Sequence, residues 1–246
     1  MLMPWLRLFR VVNLPTVPGD VLVGAALAMW SVGCTSASPQ DFARVALAAA
    51  ASCCLYMFGL VDNDIVGAAT DKGRPIPDGQ VSMRAARIAR GFCLFAALVV
   101  AALANLPCWW WAVALALTFS IVVYNRTKMS FFMGLCRALN VVCGAVSTKI
   151  VYCQGDRMLV YPVAVVASMW LFYIWAVTRY SDGEEMDPAK RRMVGMFVGG
   201  IVYLQLLALI VITILDASAK PLLIAGAVLL VVLRVAKRTF PEVSAS

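Results

Sequence analysis

The chain has 246 residues, 63% of them hydrophobic and 14% charged, with a net charge of +8 and no histidine. Soluble domains run at about half apolar and about a quarter charged, so a soluble globular domain is excluded and a membrane-embedded one is expected. The lack of histidine rules out a histidine general base, and with no C-x-x-C pair it rules out a zinc site.

A hydrocarbon core of about 30 Å takes about 20 apolar residues per helix. Eight apolar segments are predicted in chain order: Val21–Gly33, Phe42–Val61, Gly91–Leu106, Trp109–Tyr124, Phe132–Ser147, Leu159–Thr178, Met193–Leu215 and Lys220–Ala236. The first is short and is expected to begin earlier, near Asn13. The fifth is interrupted by Arg137 and Asn140. Pro4, Arg7 and Arg10 precede the first segment with no small-residue cleavage site, so no signal peptide is expected. The reading is one all-α domain over residues 1–246, a polytopic helical bundle. Most of the eight cysteines, among them Cys53, Cys54, Cys93, Cys136 and Cys143, fall inside apolar segments, where cysteine acts as a small buried hydrophobe.

The basic residues report topology. With loops numbered alternately from an inside start, 17 of the 21 fall inside, and only Arg44, Lys149, Arg157 and Lys220 fall outside. This positive-inside pattern predicts an even helix count with both termini cytoplasmic, in a cell's inner (cytoplasmic) membrane. It leaves no surplus for a nucleic-acid surface. The two long polar segments, residues 62–90 and 179–192, both fall on the cytoplasmic side, so chemistry is expected there.

The first of them opens DNDIVGAATDKGRPIPDG from Asp62, directly after an apolar run. Such charge density at a membrane edge is costly to place. A polyanion held by metal-bridging carboxylates and by cations accounts for it; pairing of the acids with Lys72, Arg74 and Arg84 in a solvated loop is the competing account. If the helix runs on to Thr70, Asn63, Asp64, Gly67 and Asp71 share one face. Asp64 and Asp71 would then stand about 10 Å apart along the axis. That suits two magnesium ions on one diphosphate, or one ion with an intervening water. The prolines of the following Lys72-Gly73-Arg74-Pro75-Ile76-Pro77 end the helix and leave Lys72 and Arg74 to neutralise phosphate.

After Tyr124, a usual interfacial anchor, come Arg126 and Lys128. Arg137 and Asn140 lie three apart within a membrane segment. An intramembrane arginine is a functional candidate, or else it snorkels to the cytoplasmic edge. The second acidic cluster, Tyr180 to Asp187, holds Asp182, Glu184, Glu185 and Asp187 at a helix end. Acids there oppose the helix dipole, and either bound cations or Lys190, Arg191 and Arg192 relieve that.

The run Asn63-Asp64-x-x-Gly67-x-x-x-Asp71, then Arg74-Pro75-Ile76-Pro77-x-Gly79, resembles the first signature of the UbiA family of intramembrane prenyltransferases, N-D-x-x-D-x-x-x-D followed by R-P-[LI]-P-S-G. Tyr124-x-x-x-Lys128 resembles the family's Y-x-x-x-K. Met133-Gly134-Leu135-Cys136-Arg137-Ala138-Leu139-Asn140, with Gly144, is similar to a motif of a UbiA-like, EboC-type subgroup. Asn13-Leu14-Pro15-Thr16 through Asp20 and Gly24 fits that subgroup's first helix, and Thr178-x-x-Ser181-Asp182-Gly183-Glu184 its T-x-x-S-R-G-E.

The resemblance implies a bundle, usually of nine helices, around a central cavity open to the cytoplasm. It implies transfer of a prenyl group from a prenyl diphosphate to an aromatic or other lipophilic acceptor, with Mg2+ as cofactor. Carried over residue by residue, Asp64 and Asp71 become the catalytic acids. Asn63, Asp64 and Asp71 serve a first metal, and Asp182, Glu184 and Glu185 a second. Lys72, Arg74, Lys128 and Arg137 contact diphosphate, while Asn13, Tyr124 and Asn140 line the cavity on the acceptor side. Gly67 stands where the family has its middle aspartate. That departure supports the rival reading, a relative that binds an isoprenoid or lipid for transport or scaffolding without catalysis. A CDP-alcohol phosphotransferase lacks its D-G-x-x-A-R pattern here, and a secondary transporter would hold its acids at the midplane.

Overall fold

The structure, a computed structural model, describes residues 2–31, 37–71, 73–148, 160–181 and 188–240. All regular structure among them is helical: α1 Met3–Leu8, α2 Thr16–Ser31, α3 Pro39–Val66, α4 Met83–Leu103, α5 Cys108–Thr127, α6 Ser130–Ser147, α7 Val160–Ser181, α8 Pro188–Leu215 and α9 Lys220–Thr239, with a 3₁₀ turn at Ala217–Ala219. The eight predicted apolar segments correspond in order to α2 through α9. Seven of those helices are long and apolar enough to cross a membrane, and α2 is a shorter apolar helix of 16 residues. The short α1 escapes a search for membrane-length runs.

Local signals explain the boundaries. Ser38 and Asp41 form a reciprocal capping box at the start of α3, with Pro39 in its first turn. The Ser82 hydroxyl accepts from the Ala85 N–H and starts α4. Lys128 takes a left-handed conformation (φ 56°), and its N–H closes α5 on the Tyr124 carbonyl.

The helix that the sequence made shortest is the centre of the bundle. α2 is buried over almost its whole length and packs on α3, α6, α8 and α9. Its closest partner is α6, and Gly24 and Gly144 are the reason. A Cβ at Gly24 would run into the Val141 carbonyl, and one at Gly144 into the Val21 carbonyl. In lipid, helix association depends on such close packing, since burial of apolar surface is no longer a driving force. The outer faces carry Phe92, Phe95, Leu115, Phe119, Phe172 and Ile214, all exposed in the isolated chain. These are lipid-facing surfaces, and the protein is a multi-pass membrane protein.

Candidate active site

A cavity of about 460 Å³ lies among α2, α3, α5 and α6. Its polar end takes Asn63 and Asp64 from the last turn of α3, Asp71 and Arg74 from the loop that follows, and Lys128 from the end of α5. Farther along the helices, Ser52, Tyr56, Leu117, Ile121, Met133, Cys136, Arg137 and Asn140 form its walls.

The acidic motif folds differently from a continued helix. α3 stops at Val66 with Gly67 as its C-cap, and the Gly67 carbonyl then accepts from the N–H groups of both Thr70 and Asp71. The chain makes a turn over 67–70. One nitrogen of Arg74 consequently bonds both acids, Nη1 lying 2.9 Å from Asp64 Oδ1 and 3.0 Å from Asp71 Oδ2. The two carboxylate oxygens are thus no further apart than those two lengths together. The expected separation of about 10 Å holds only for an unbroken helix and is corrected here: a single cation spans Asp64 and Asp71.

Gly67 leaves room for the Asp71 carboxylate. A Cβ at that position would collide with the Asp71 carboxylate. The Asp71 carboxylate thus stands against the open side of Gly67. Asp62, the other neighbouring acid, is committed elsewhere. It is buried within α3, with Oδ1 accepting from Arg90 and Oδ2 from Asn125, each at 2.9 Å.

Cations crowd the same end. The Lys128 ammonium donates to Asn63 Oδ1 and stands over the Tyr124 ring. Burial pulls its pKa below the usual lysine range of 10.5, and the Arg74 and Arg10 charges act in the same direction against Asp71 and Asp64. Arg7 and Arg10 line the cavity too, and Arg7 donates to the Gly73 carbonyl at 3.3 Å. Arg10, like Lys128, has a left-handed backbone (φ 41°). A non-glycine residue held in that region is uncommon and is concentrated at functional sites. Arg7 and Arg10 were missed as site residues because they read as topology-setting charges. The usable signal is their spacing of three beside Trp5 and Phe9, which places a cationic segment against the loop.

Arg137 lines the cavity but is not a free cation. Its Nη1 bonds Asp20 Oδ2 at 2.8 Å and the Thr16 carbonyl at 3.0 Å, and its Nη2 bonds Thr16 Oγ1 at 2.7 Å. Asp20 is fully buried and also accepts from Asn140 (3.2 Å), Trp170 (2.9 Å) and Gln205 (2.6 Å). The network ties α2 to α6, α7 and α8. Arg137, expected to contact diphosphate, has its charge already balanced by Asp20 within the bundle. Trp170 and Gln205 had no local signal, because each reads as one more residue in an apolar helix.

Asn63, Asp64, Asp71, Arg74, Tyr124, Lys128, Arg137 and Asn140 all line this cavity. Asn13 does not; its carbonyl accepts from the Thr16 N–H and hydroxyl just before α2. Lys72, Asp182, Glu184 and Glu185 lie outside the described residues. The donors present fit magnesium, which takes hard oxygen ligands, uses one or two carboxylates and fills its other positions with water and phosphate oxygens. No group of three acidic, histidine or cysteine ligands occurs among the described residues.

No curated protein sequence matches the chain. Among solved structures, that of a digeranylgeranylglyceryl phosphate synthase aligns over 98% of this chain and 94% of that one, with 17% identity and a TM-score of 0.58. A UbiA homologue from Archaeoglobus fulgidus, bound to DMAPP and Mg2+, aligns over 94% and 98%, with 14% identity and a TM-score of 0.57. The same homologue bound to GPP and Mg2+ gives 14% identity and a TM-score of 0.56 over 98% and 95%. These likenesses establish the fold. The family model for UbiA prenyltransferases matches residues 21–240, nearly the whole helical bundle, and the chain belongs to the UbiA prenyltransferase family.

Proposed function

We propose that this protein is a magnesium-dependent prenyltransferase that moves an isoprenyl group from a prenyl diphosphate to a lipophilic, electron-rich acceptor. The observation that carries the reading is the pair Asp64 and Asp71, held on one cation at the polar end of a cavity within the helical bundle. Bound there, magnesium would neutralise charge on the departing diphosphate. Asp64, Asp71 and Asn63 are its ligands, directly or through water. Arg74, Lys128, Arg7 and Arg10 attract and orient the diphosphate. The bond between the allylic carbon and the diphosphate oxygen breaks, and its electron pair leaves with pyrophosphate. The acceptor's nucleophilic atom forms the new bond to that carbon and releases a proton. The apolar walls keep water from the cationic carbon. Lys72 is a further candidate cation, and Asp182, Glu184 and Glu185 are candidates for a second ion.

The charge bias supports a cell's inner membrane with both termini cytoplasmic, so that the substrate would come from the cytoplasm. The rival, non-catalytic reading rests on Gly67. Asp64 and Asp71, drawn together on Arg74, still supply the one or two carboxylates that magnesium usually takes, and this favours catalysis.

The test is release of pyrophosphate by the reconstituted protein with magnesium, a series of prenyl diphosphates and a lipid extract as acceptor source. Product is read by mass spectrometry. Activity should disappear in Asp64→Ala. Intact recovery of every diphosphate after long incubation would leave only the binding role, and full activity in the Asp64→Ala, Asp71→Ala double variant would remove these acids from the chemistry.

A further inference from the structure

Asp62 stands immediately before Asn63 and Asp64, yet it does not line the cavity. It is 1% exposed, and two other helices hold its oxygens: Arg90 of α4 donates to Oδ1 and Asn125 of α5 to Oδ2. A carboxylate buried this far is costly unless it is paired and hydrogen-bonded. Arg90, with Arg126 at 3.9 Å, supplies the counter-charge. Asn125 is a neutral amide and adds none. What it adds is a tie between α3 and α5, because its Nδ2 also donates to the Gly59 carbonyl at 3.0 Å.

The tie is one rung of a seam. A Cβ at Gly59 would press on Ile121 Cγ2 at 2.8 Å, so the two helices approach closely there. One turn on, Asn125 reaches Gly59 and Asp62. At the last rung the Lys128 ammonium donates to Asn63 Oδ1. Gly59, Asp62 and Asn63 on α3, and Ile121, Asn125 and Lys128 on α5, follow steps of three or four residues from one rung to the next, the spacing that keeps side chains on one helix face. Lys128 is the C-cap of α5, just beyond its last helical residue. Where its ammonium stands therefore depends on how the end of α5 is held.

We propose that Asp62 and Asn125 are positioning residues for the diphosphate site: their buried bond ties the end of α3 to the end of α5 and so sets the Lys128 ammonium against Asn63. That the site takes diphosphate rests on the prenyltransferase reading; the tie itself rests on the seam. Asp62 and Asn125 act through Lys128 and Asn63, which are the groups that meet the ligand.

The full-length protein in lipid nanodiscs is titrated calorimetrically with dimethylallyl diphosphate and magnesium, as a double-mutant cycle. Asn125→Ala should weaken binding about tenfold in the native background and less than about twofold once Lys128→Ala is present, because nothing is then left to position. A merely structural asparagine would cost the same factor in both backgrounds. Asp62→Asn keeps the side-chain shape and removes one of its two acceptor oxygens. It is carried through the same cycle, so that the proposal is still tested if Asn125→Ala does not fold. Unaltered affinity in these variants, or equal losses in the two backgrounds, would overturn the proposal. Hydrogen exchange is followed in the same proteins without ligand. Loss of the tie should quicken exchange over residues 121–128 and 60–66 together, while α9 is unaltered. If dimethylallyl diphosphate does not bind the native protein, the prenyltransferase reading falls and exchange decides the tie. Quickening at both helix ends keeps it; quickening at the end of α5 alone, or at neither end, removes it.

Discussion

The cavity meets two carboxylate–arginine clusters, and they differ in how far their charges are spent. At Asp20 the carboxylate oxygens take donors from Arg137, Asn140, Trp170 and Gln205, on three other helices. Each carboxylate oxygen there already has two donors. At Asp64 and Asp71 two carboxylates share a single guanidinium nitrogen, and Arg74 is partly exposed. These two carboxylates have fewer donors each than Asp20 has. The same residue types therefore build a girder in one place and a binding site in the other, and the number of donors per carboxylate oxygen separates the two.

The sharpest way to break that comparison is to remove one member from each. Asp20→Leu leaves Arg137 buried without a counter-ion, which typically costs about 3–5 kcal/mol. A large fall in thermal stability is expected, measured by unfolding in detergent. Adding Arg137→Leu should recover part of the loss, because a paired deletion leaves no lone charge. It should not recover all of it, since Trp170 and Gln205 would still lack their acceptor. A Tm unchanged in Asp20→Leu would show that the network is not the girder described.

Asp64→Ala is the counterpart. Arg74 keeps Asp71 at 3.0 Å, so the melting temperature should shift little. Pyrophosphate release should fall by about a hundredfold or more, the scale for losing one electrostatic contributor in a water-excluded site. A variant that unfolds while its residual folded fraction keeps full activity would reverse the roles of the two clusters.

Gly67→Ala comes next. Its Cβ would push the Asp71 carboxylate from its present position without removing any charge. Magnesium affinity, followed by the metal dependence of prenyl diphosphate binding, should weaken by about tenfold if one carboxylate ligand is displaced. Unchanged metal dependence would mean that Asp71 acts from some other position, and would revive the non-catalytic reading of Gly67.

The sequence carried the architecture well, because each lipid-crossing helix must be long and apolar. The apolar segments and their order were legible, as was the crowding of charge between α3 and α4. So were Asn63, Asp64, Asp71, Arg74, Tyr124, Lys128 and Asn140 as cavity residues. What was not legible depends on where the chain bends or which helices meet. The break at Gly67 changed a separation along a helix axis into a shared guanidinium. The pairing of Arg137 with Asp20 joins positions 117 residues apart, and no local pattern reports such a contact. Arg7 and Arg10 were visible as charges, but only the folding of α1 onto the Gly73 loop brings them to the cavity.

The smallest effect concerns Lys128, where burial lowers the pKa below 10.5. Below the lowered value the ammonium is charged and attracts diphosphate. As pH rises through it, the charge is lost earlier than for an ordinary exposed lysine, and affinity for prenyl diphosphate should decline. Bound diphosphate favours the charged form and so raises the pKa again. Between the free and bound values, binding should therefore take up a proton, visible as a buffer-dependent heat in calorimetry. The decline should amount to a few-fold in affinity, about 1 kcal/mol for one partly screened charge contact. Lys128→Arg, charged across the whole range, should flatten this alkaline limb. Lys128→Gln should weaken binding at neutral pH and leave no limb to flatten. An alkaline decline that persists unchanged in both variants would assign the titration to another group and remove Lys128 from the diphosphate site.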